Sequence, residues 1–120
     1  MSLTEHDLGS VDEFVVGNPH PVQVGKRPIL VVRTAERLFA VRDLCPHAGA
    51  ALSAGKLIGE TCVEHPDAEV NYRRKGEVIS CPWHGWEFDL KTGQCLADPD
   101  RWRIAVYAIE VVDGRVMLKT

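Results

Sequence analysis

Two short boxes, Cys45-Pro46-His47 and Cys81-Pro82-Trp83-His84-Gly85-Trp86, each set a histidine two or three residues after a cysteine, with proline next to the cysteine. No other feature constrains the fold as much, because two thiolates and two imidazoles from separate stretches must converge to hold one metal centre. Successive residues of a strand face opposite ways, so a Cys and a His this close aim at one centre only from a bent loop. Pro46 and Pro82 supply the bend: each fixes φ and offers no N–H to a ladder, so the preceding strand stops and a rigid loop begins. Gly49 and Gly85 follow the histidines and let the backbone come close to whatever the loop holds. Ligand, breaker and glycine recur in the same order in both boxes.

The donors admit more than one reading. Two disulfides among the four cysteines would need an oxidising compartment, and the opening Met1-Ser2-Leu3-Thr4-Glu5 has no basic, apolar signal pattern. A zinc ion takes two thiolates and two imidazoles tetrahedrally, although structural zinc favours C-x-x-C spacing. A 2Fe-2S centre takes the same set, with two cysteines on one iron and two histidines on the other; the neutral imidazoles raise its reduction potential above that of an all-cysteine cluster. Cys62 and Cys95 read as ordinary thiols, buried or half-buried.

The run CPHAGAALSAGKL, then EVISCPWHGWEFDLKTG, resembles the Rieske 2Fe-2S family, and most closely its small soluble ferredoxins that serve ring-hydroxylating oxygenases. The resemblance runs from Cys45 to Gly93, about two fifths of the chain. It implies a Rieske-type 2Fe-2S cluster held by Cys45, His47, Cys81 and His84. It also implies the Rieske fold: an all-β antiparallel sandwich, one domain over residues 1–120, with an inserted cluster-binding subdomain at about 43–97. An NAD(P)H-dependent flavin reductase and a terminal oxygenase are the implied redox partners. Asp98-Pro99-Asp100 falls where the family's proline-bearing loop covers the cluster. Ala50 and Trp83 stand where high-potential members carry stapling cysteines, and Trp86 and Phe88 where they carry a serine and a tyrosine hydroxyl. Without those hydroxyls, and with ligands and oxidised cluster summing to about zero charge, the expected potential lies near the lower end of about −150 to +300 mV.

The chain is longer than the family pattern between its first histidine and second cysteine, at about Glu60 to Lys75, and that run contains a second C-x-x-H, Cys62-Val63-Glu64-His65. Cys62 has no following proline, His65 is followed by Pro66 instead of glycine, and no aromatic run comes after it. The surroundings therefore favour Cys81 and His84. Lys56 to Gly59 and Glu77 to Ser80 read as hairpin arms, the second running into Cys81. A tip at Gly76 would stand roughly 16 Å from the metal at about 3.3 Å per residue. The inserted run, with its basic Arg73-Arg74-Lys75, reads as a solvated loop or hairpin extension at that tip, or as a docking element.

Elsewhere the chain is a series of short β-prone runs at 21–24, 29–33, 38–42, 78–81, 86–90, 104–110 and 116–119, separated by turn signals at 25–28, 34–36, 91–93 and 113–114. Trp83, Trp86 and Phe88 read as packing that shields the metal, Trp102 as a core-edge residue, and His6 and His20 as surface histidines. The net charge of −3 gives no sign of nucleic acid. No run approaches the ~20 apolar residues of a membrane span, and the expected compartment is the cytoplasm. No G-x-G-x-x-G follows a strand and no spare ligands exist for a mononuclear iron, so the chain reads as an electron-transfer component with no catalytic site of its own. The alternatives are a small Rieske subunit fixed in a larger oxidoreductase, and a structural or redox-sensing metal module.

Overall fold

A computed structural model describes residues 4–34, 37–46, 49–62, 71–82 and 86–120, with only the backbone described at 58–62 and 71–76. The described strands are β1 Glu5–Ser10, β2 Pro19–Val24, β3 Arg27–Arg33, β4 Leu38–Arg42, β5 Lys56–Cys62, β6 Asn71–Ser80, β7 Glu87–Asp89, β8 Val106–Val112 and β9 Arg115–Lys119. They form a six-stranded sheet in the order β1-β9-β8-β4-β3-β2 and a three-stranded sheet β5-β6-β7, with every strand pair antiparallel. The small sheet is inserted in sequence between β4 and β8. The architecture is therefore the expected all-β one. Among the described residues no helix is long and apolar enough to cross a membrane.

β3 and β4 form the wall on which the site is built. Their apolar runs Ile29-Leu30-Val31-Val32 and Leu38-Phe39-Ala40-Val41 are buried throughout, as befits strands covered on both faces. The side-chain period of two sorts them. Ile29, Val31, Leu38 and Ala40 pack with Phe14, Val116 and Leu118, while Leu30, Val32, Phe39 and Val41 pack with residues of the small sheet and its loops. One wall thus carries two cores.

Local signals place most turns. Val112 pairs with Arg115 across Asp113 and Gly114, both at positive φ (50° and 76°), the two-residue geometry that matches strand twist. The turn after β2 is tighter than its Gly25-Lys26-Arg27-Pro28 signal, because Val24 already pairs with Arg27. β1 lies outside the β-prone runs of the sequence. Its residues Glu-His-Asp-Leu-Gly-Ser are mostly polar, and the segment is extended because it pairs with β9, Glu5 opposite Lys119 and His6 opposite Leu118.

One expectation is corrected. The hairpin does not turn at Gly76. Beyond the Ile58–Val78 pair the register shifts, Arg74 to Glu77 stand opposite Gly59, and pairing resumes with Glu60–Arg73, Thr61–Tyr72 and Cys62–Asn71. Arg74 to Glu77 form a bulge, and the hairpin runs on. Its end, 63–70 with His65, lies outside the described residues. His6 and His20 are half-buried and hydrogen-bonded: a ring nitrogen of His6 lies 2.9 Å from the Thr120 hydroxyl, and His20 Nε2 accepts the Val15 N–H at 2.8 Å. Ring contact with Phe14 at 5.2 Å holds His20 in place.

Candidate metal centre

Cys45 and Cys81, 0% and 3% exposed, belong to one core with Leu30, Val32, Leu52, Ile79, Phe88, Leu90, Cys95 and Ile104. Each opens a loop at the end of a strand, Cys45 three residues past β4 and Cys81 directly after β6. The loops close in the same way. The Cys45 N–H donates to the Ala50 carbonyl at 2.8 Å, and the Cys81 N–H donates to the Trp86 carbonyl at 2.7 Å. In each case the acceptor is the fifth residue on. His47, Trp83, His84 and Gly85 lie outside the described residues.

The first loop turns back at Gly49, whose φ of 70° favours glycine and whose N–H donates to the Cys45 carbonyl at 2.7 Å. Behind it the 3₁₀ turn Leu52–Ala54 buries Leu52 completely. Gly55 follows and lies against the carbonyl of Ser80, where a Cβ would collide. Lys56 then pairs with Ser80. The chain leaving the first loop is therefore fastened to the residue before Cys81. Buried Asp43 adds a side-chain tie: its carboxylate accepts the Ser53 N–H at 2.6 Å and the Ser53 hydroxyl at 2.7 Å. Sequence reasoning misses Asp43 and Ser53. The available signal is an Asp and a Ser flanking a Pro-Gly loop, residue types that bond locally to backbone N–H groups.

The second loop is backed by aromatic packing. Phe88 on β7 is fully buried, and half-buried Trp86 meets Trp102 edge to face, their ring centroids 5.7 Å apart. Both tryptophans lean on the core that holds the cysteines. The Asp98 carbonyl accepts the N–H groups of Arg101 and Trp102, which closes the Asp98-Pro99-Asp100 turn directly before Trp102. Cys95, also fully buried, pairs with Phe88 through an isolated bridge. Cys62 is elsewhere. It ends β5 six positions beyond Lys56, and at about 3.3 Å per residue its backbone stands roughly 20 Å along the ladder from the Lys56–Ser80 pair.

The donor chemistry suits a 2Fe-2S centre. Two buried thiols leave adjacent loops in a dry core, and each loop encloses one histidine of the chain between its fastened ends.

Comparison with known proteins points the same way. The family model of the Rieske [2Fe-2S] domain matches residues 4–108. The anthranilate 1,2-dioxygenase ferredoxin subunit of Burkholderia cepacia is 36% identical over 111 residues, covering 92% of this chain and 87% of that protein. Among solved structures, the ferredoxin of carbazole 1,9a-dioxygenase from Nocardioides aromaticivorans IC177 aligns with a TM-score of 0.75 at 25% identity, over 96% of each chain. A chain from the complex of reduced oxygenase and oxidized ferredoxin in carbazole 1,9a-dioxygenase aligns with a TM-score of 0.72 at 27% identity, over 95% of this chain and 91% of that one.

Proposed function

The chain belongs to the Rieske [2Fe-2S] domain family, and from that premise we propose that it is a Rieske-type ferredoxin handing single electrons to a terminal oxygenase. The family brings with it a Rieske-type 2Fe-2S cluster, which when bound takes up and releases one electron at a time. Cys45, His47, Cys81 and His84 are the proposed ligands. The observation that carries this reading is the matched closure of the two cysteine loops over one buried core, with Cys45 and Cys81 at their roots. The distance of Cys62 along β5 supports Cys81 over Cys62.

The protein's own residues have three tasks in this reading. Burial of Cys45 and Cys81 keeps their end of the centre dry. The fastened loops hold the ligands in one arrangement whether or not the electron is present, so little rearrangement accompanies transfer. Trp86, Trp102 and Phe88 exclude water on the side of the second loop, which tunes the centre through its surroundings.

The relatives, ferredoxin components of dioxygenase systems, support a terminal oxygenase as acceptor. An NAD(P)H-dependent flavin reductase is the proposed donor, since the sequence carries no nucleotide loop of its own. The cytoplasm is the proposed compartment. Residues 1–120 are proposed as one domain whose part at about 43–97 binds the cluster.

Visible and EPR spectra of the purified protein, with iron analysis, test the cluster; voltammetry near neutral pH tests the role. Held by two thiolates and two neutral imidazoles, the centre would carry a net negative charge when reduced, and Trp86 and Phe88 have no hydroxyl to stabilise it. The expected midpoint is near the lower end of about −150 to +300 mV, and a value above roughly +100 mV within that span overturns the oxygenase-ferredoxin reading.

A further inference from the structure

We propose that Asp43 and Ser53 form a positioning clamp for the cluster loop that begins at Cys45. The inference rests on the ligand reading above. Asp43 is only 5% exposed, and a buried carboxylate is costly unless it is hydrogen-bonded. It accepts two short bonds from one residue, from the Ser53 N–H and from its hydroxyl; bonds to an ionised acceptor are the strong class. The Asp43 N–H donates in turn to the Pro28 carbonyl on β3 at 2.9 Å. Asp43 stands two residues before Cys45, and Ser53 two residues before Gly55, which abuts Ser80 and hence Cys81.

A connected path therefore runs from the rigid β3–β4 wall through Asp43 and Ser53 to the roots of both loops. Among the described residues, the segment between β4 and β5 belongs to no strand ladder. Side-chain bonds do there what strand pairing does elsewhere. The clamp sets where the first loop sits relative to the second.

The test uses the cluster-loaded protein and follows the decay of its visible absorbance under a ferrous chelator, together with the EPR line shape. Ser53→Ala is expected to shed the cluster roughly tenfold faster, the factor of a lost charge-assisted hydrogen bond, and to broaden or shift the EPR signal. Ser53→Thr restores both. Val31→Ala in the other core is the control for general destabilisation and keeps wild-type decay and line shape. Asp43→Asn repeats the Ser53→Ala result; should it not accumulate folded, Ser53→Ala, which retains the backbone N–H bond, carries the test. Wild-type decay and line shape in Ser53→Ala, or equal acceleration in Val31→Ala, overturns the clamp. A cluster that survives Cys81→Ser in the otherwise wild-type protein overturns the ligand reading instead.

Discussion

Ile29 and Leu30 are neighbours on β3, yet one packs among apolar side chains drawn from strands and the other in a core that contains three buried thiols. The Ile29 side is closed by β3, β4 and β9 with Phe14 between them. Long antiparallel ladders hold it, and nothing in it needs a metal. The Leu30 side is completed by Leu52 from a 3₁₀ turn, Phe88 from a three-residue strand, and Cys45, Cys81, Cys95 and Ile104 from loops. Ile79 of β6 and Leu90 join them, so this side mixes ladder residues with loop residues. The wall is one scaffold with two faces, one covered by strands and the other by the loops that carry Cys45 and Cys81.

The hardest blow to this contrast is to the ligands. Cys81→Ser should abolish the cluster's visible absorbance and lower thermal stability, because the free energy of metal binding adds to that of folding. Cys62→Ser should leave both unchanged. Loss of absorbance in Cys62→Ser with retention in Cys81→Ser would reverse the assignment.

Paired truncations separate the two cores. Leu52→Ala and Leu118→Ala both remove fully buried leucines, and each should cost about 2–5 kcal/mol in denaturant unfolding. Only Leu52→Ala should hasten cluster loss under chelator. Equal hastening by Leu118→Ala would mean that the two cores behave as one unit.

A smaller effect is expected where the loops touch. Gly55→Ala pushes a Cβ against the Ser80 carbonyl, so the backbone must shift, at a cost of roughly 1–3 kcal/mol. Absorbance at the iron bands should change with it, while far-UV circular dichroism stays close to wild type.

The smallest effect lies at the opposite edge. The hydrogen bond from Arg115, and after it the Gly9 N–H, hold the Asp7 carboxyl below its ordinary value of 3.8. A carboxyl depressed in the folded state contributes stability above its unfolded value and loses it as pH falls through the folded one. Asp7→Asn should thus flatten the acid limb of stability slightly below pH 4, with the cluster spectrum unchanged. The pair is half-exposed, and added salt should shrink the difference.

Local chemistry makes several features legible in the sequence alone. Cysteine, proline and glycine spacing marks the two loops, whose closing bonds and Gly49 conformation follow from where those residues stand. Alternation and continuous apolar runs mark β3, β4 and β9, and Asp113-Gly114 marks the last turn. These readings depend on a residue's own conformational limits and on its immediate neighbours, which the sequence by itself determines.

Partners far apart in the chain decide the rest. Polar β1 is a strand only because β9 presents an open edge. Arg74 to Gly76 lie in a bulge instead of a turn because β5 offers further pairs beyond Gly59. His6 and His20 read as surface histidines, and only the fold supplies their partners, Thr120 for His6 and Phe14 with the Val15 N–H for His20. Asp43 and Ser53 are ten residues apart, and the sequence marks them only as polar residues flanking a Pro-Gly loop; folding buries the carboxylate, and a buried carboxylate needs its donors. Tertiary structure alone decides which groups lose water, and that loss turns ordinary polar residues into the ties that hold the site.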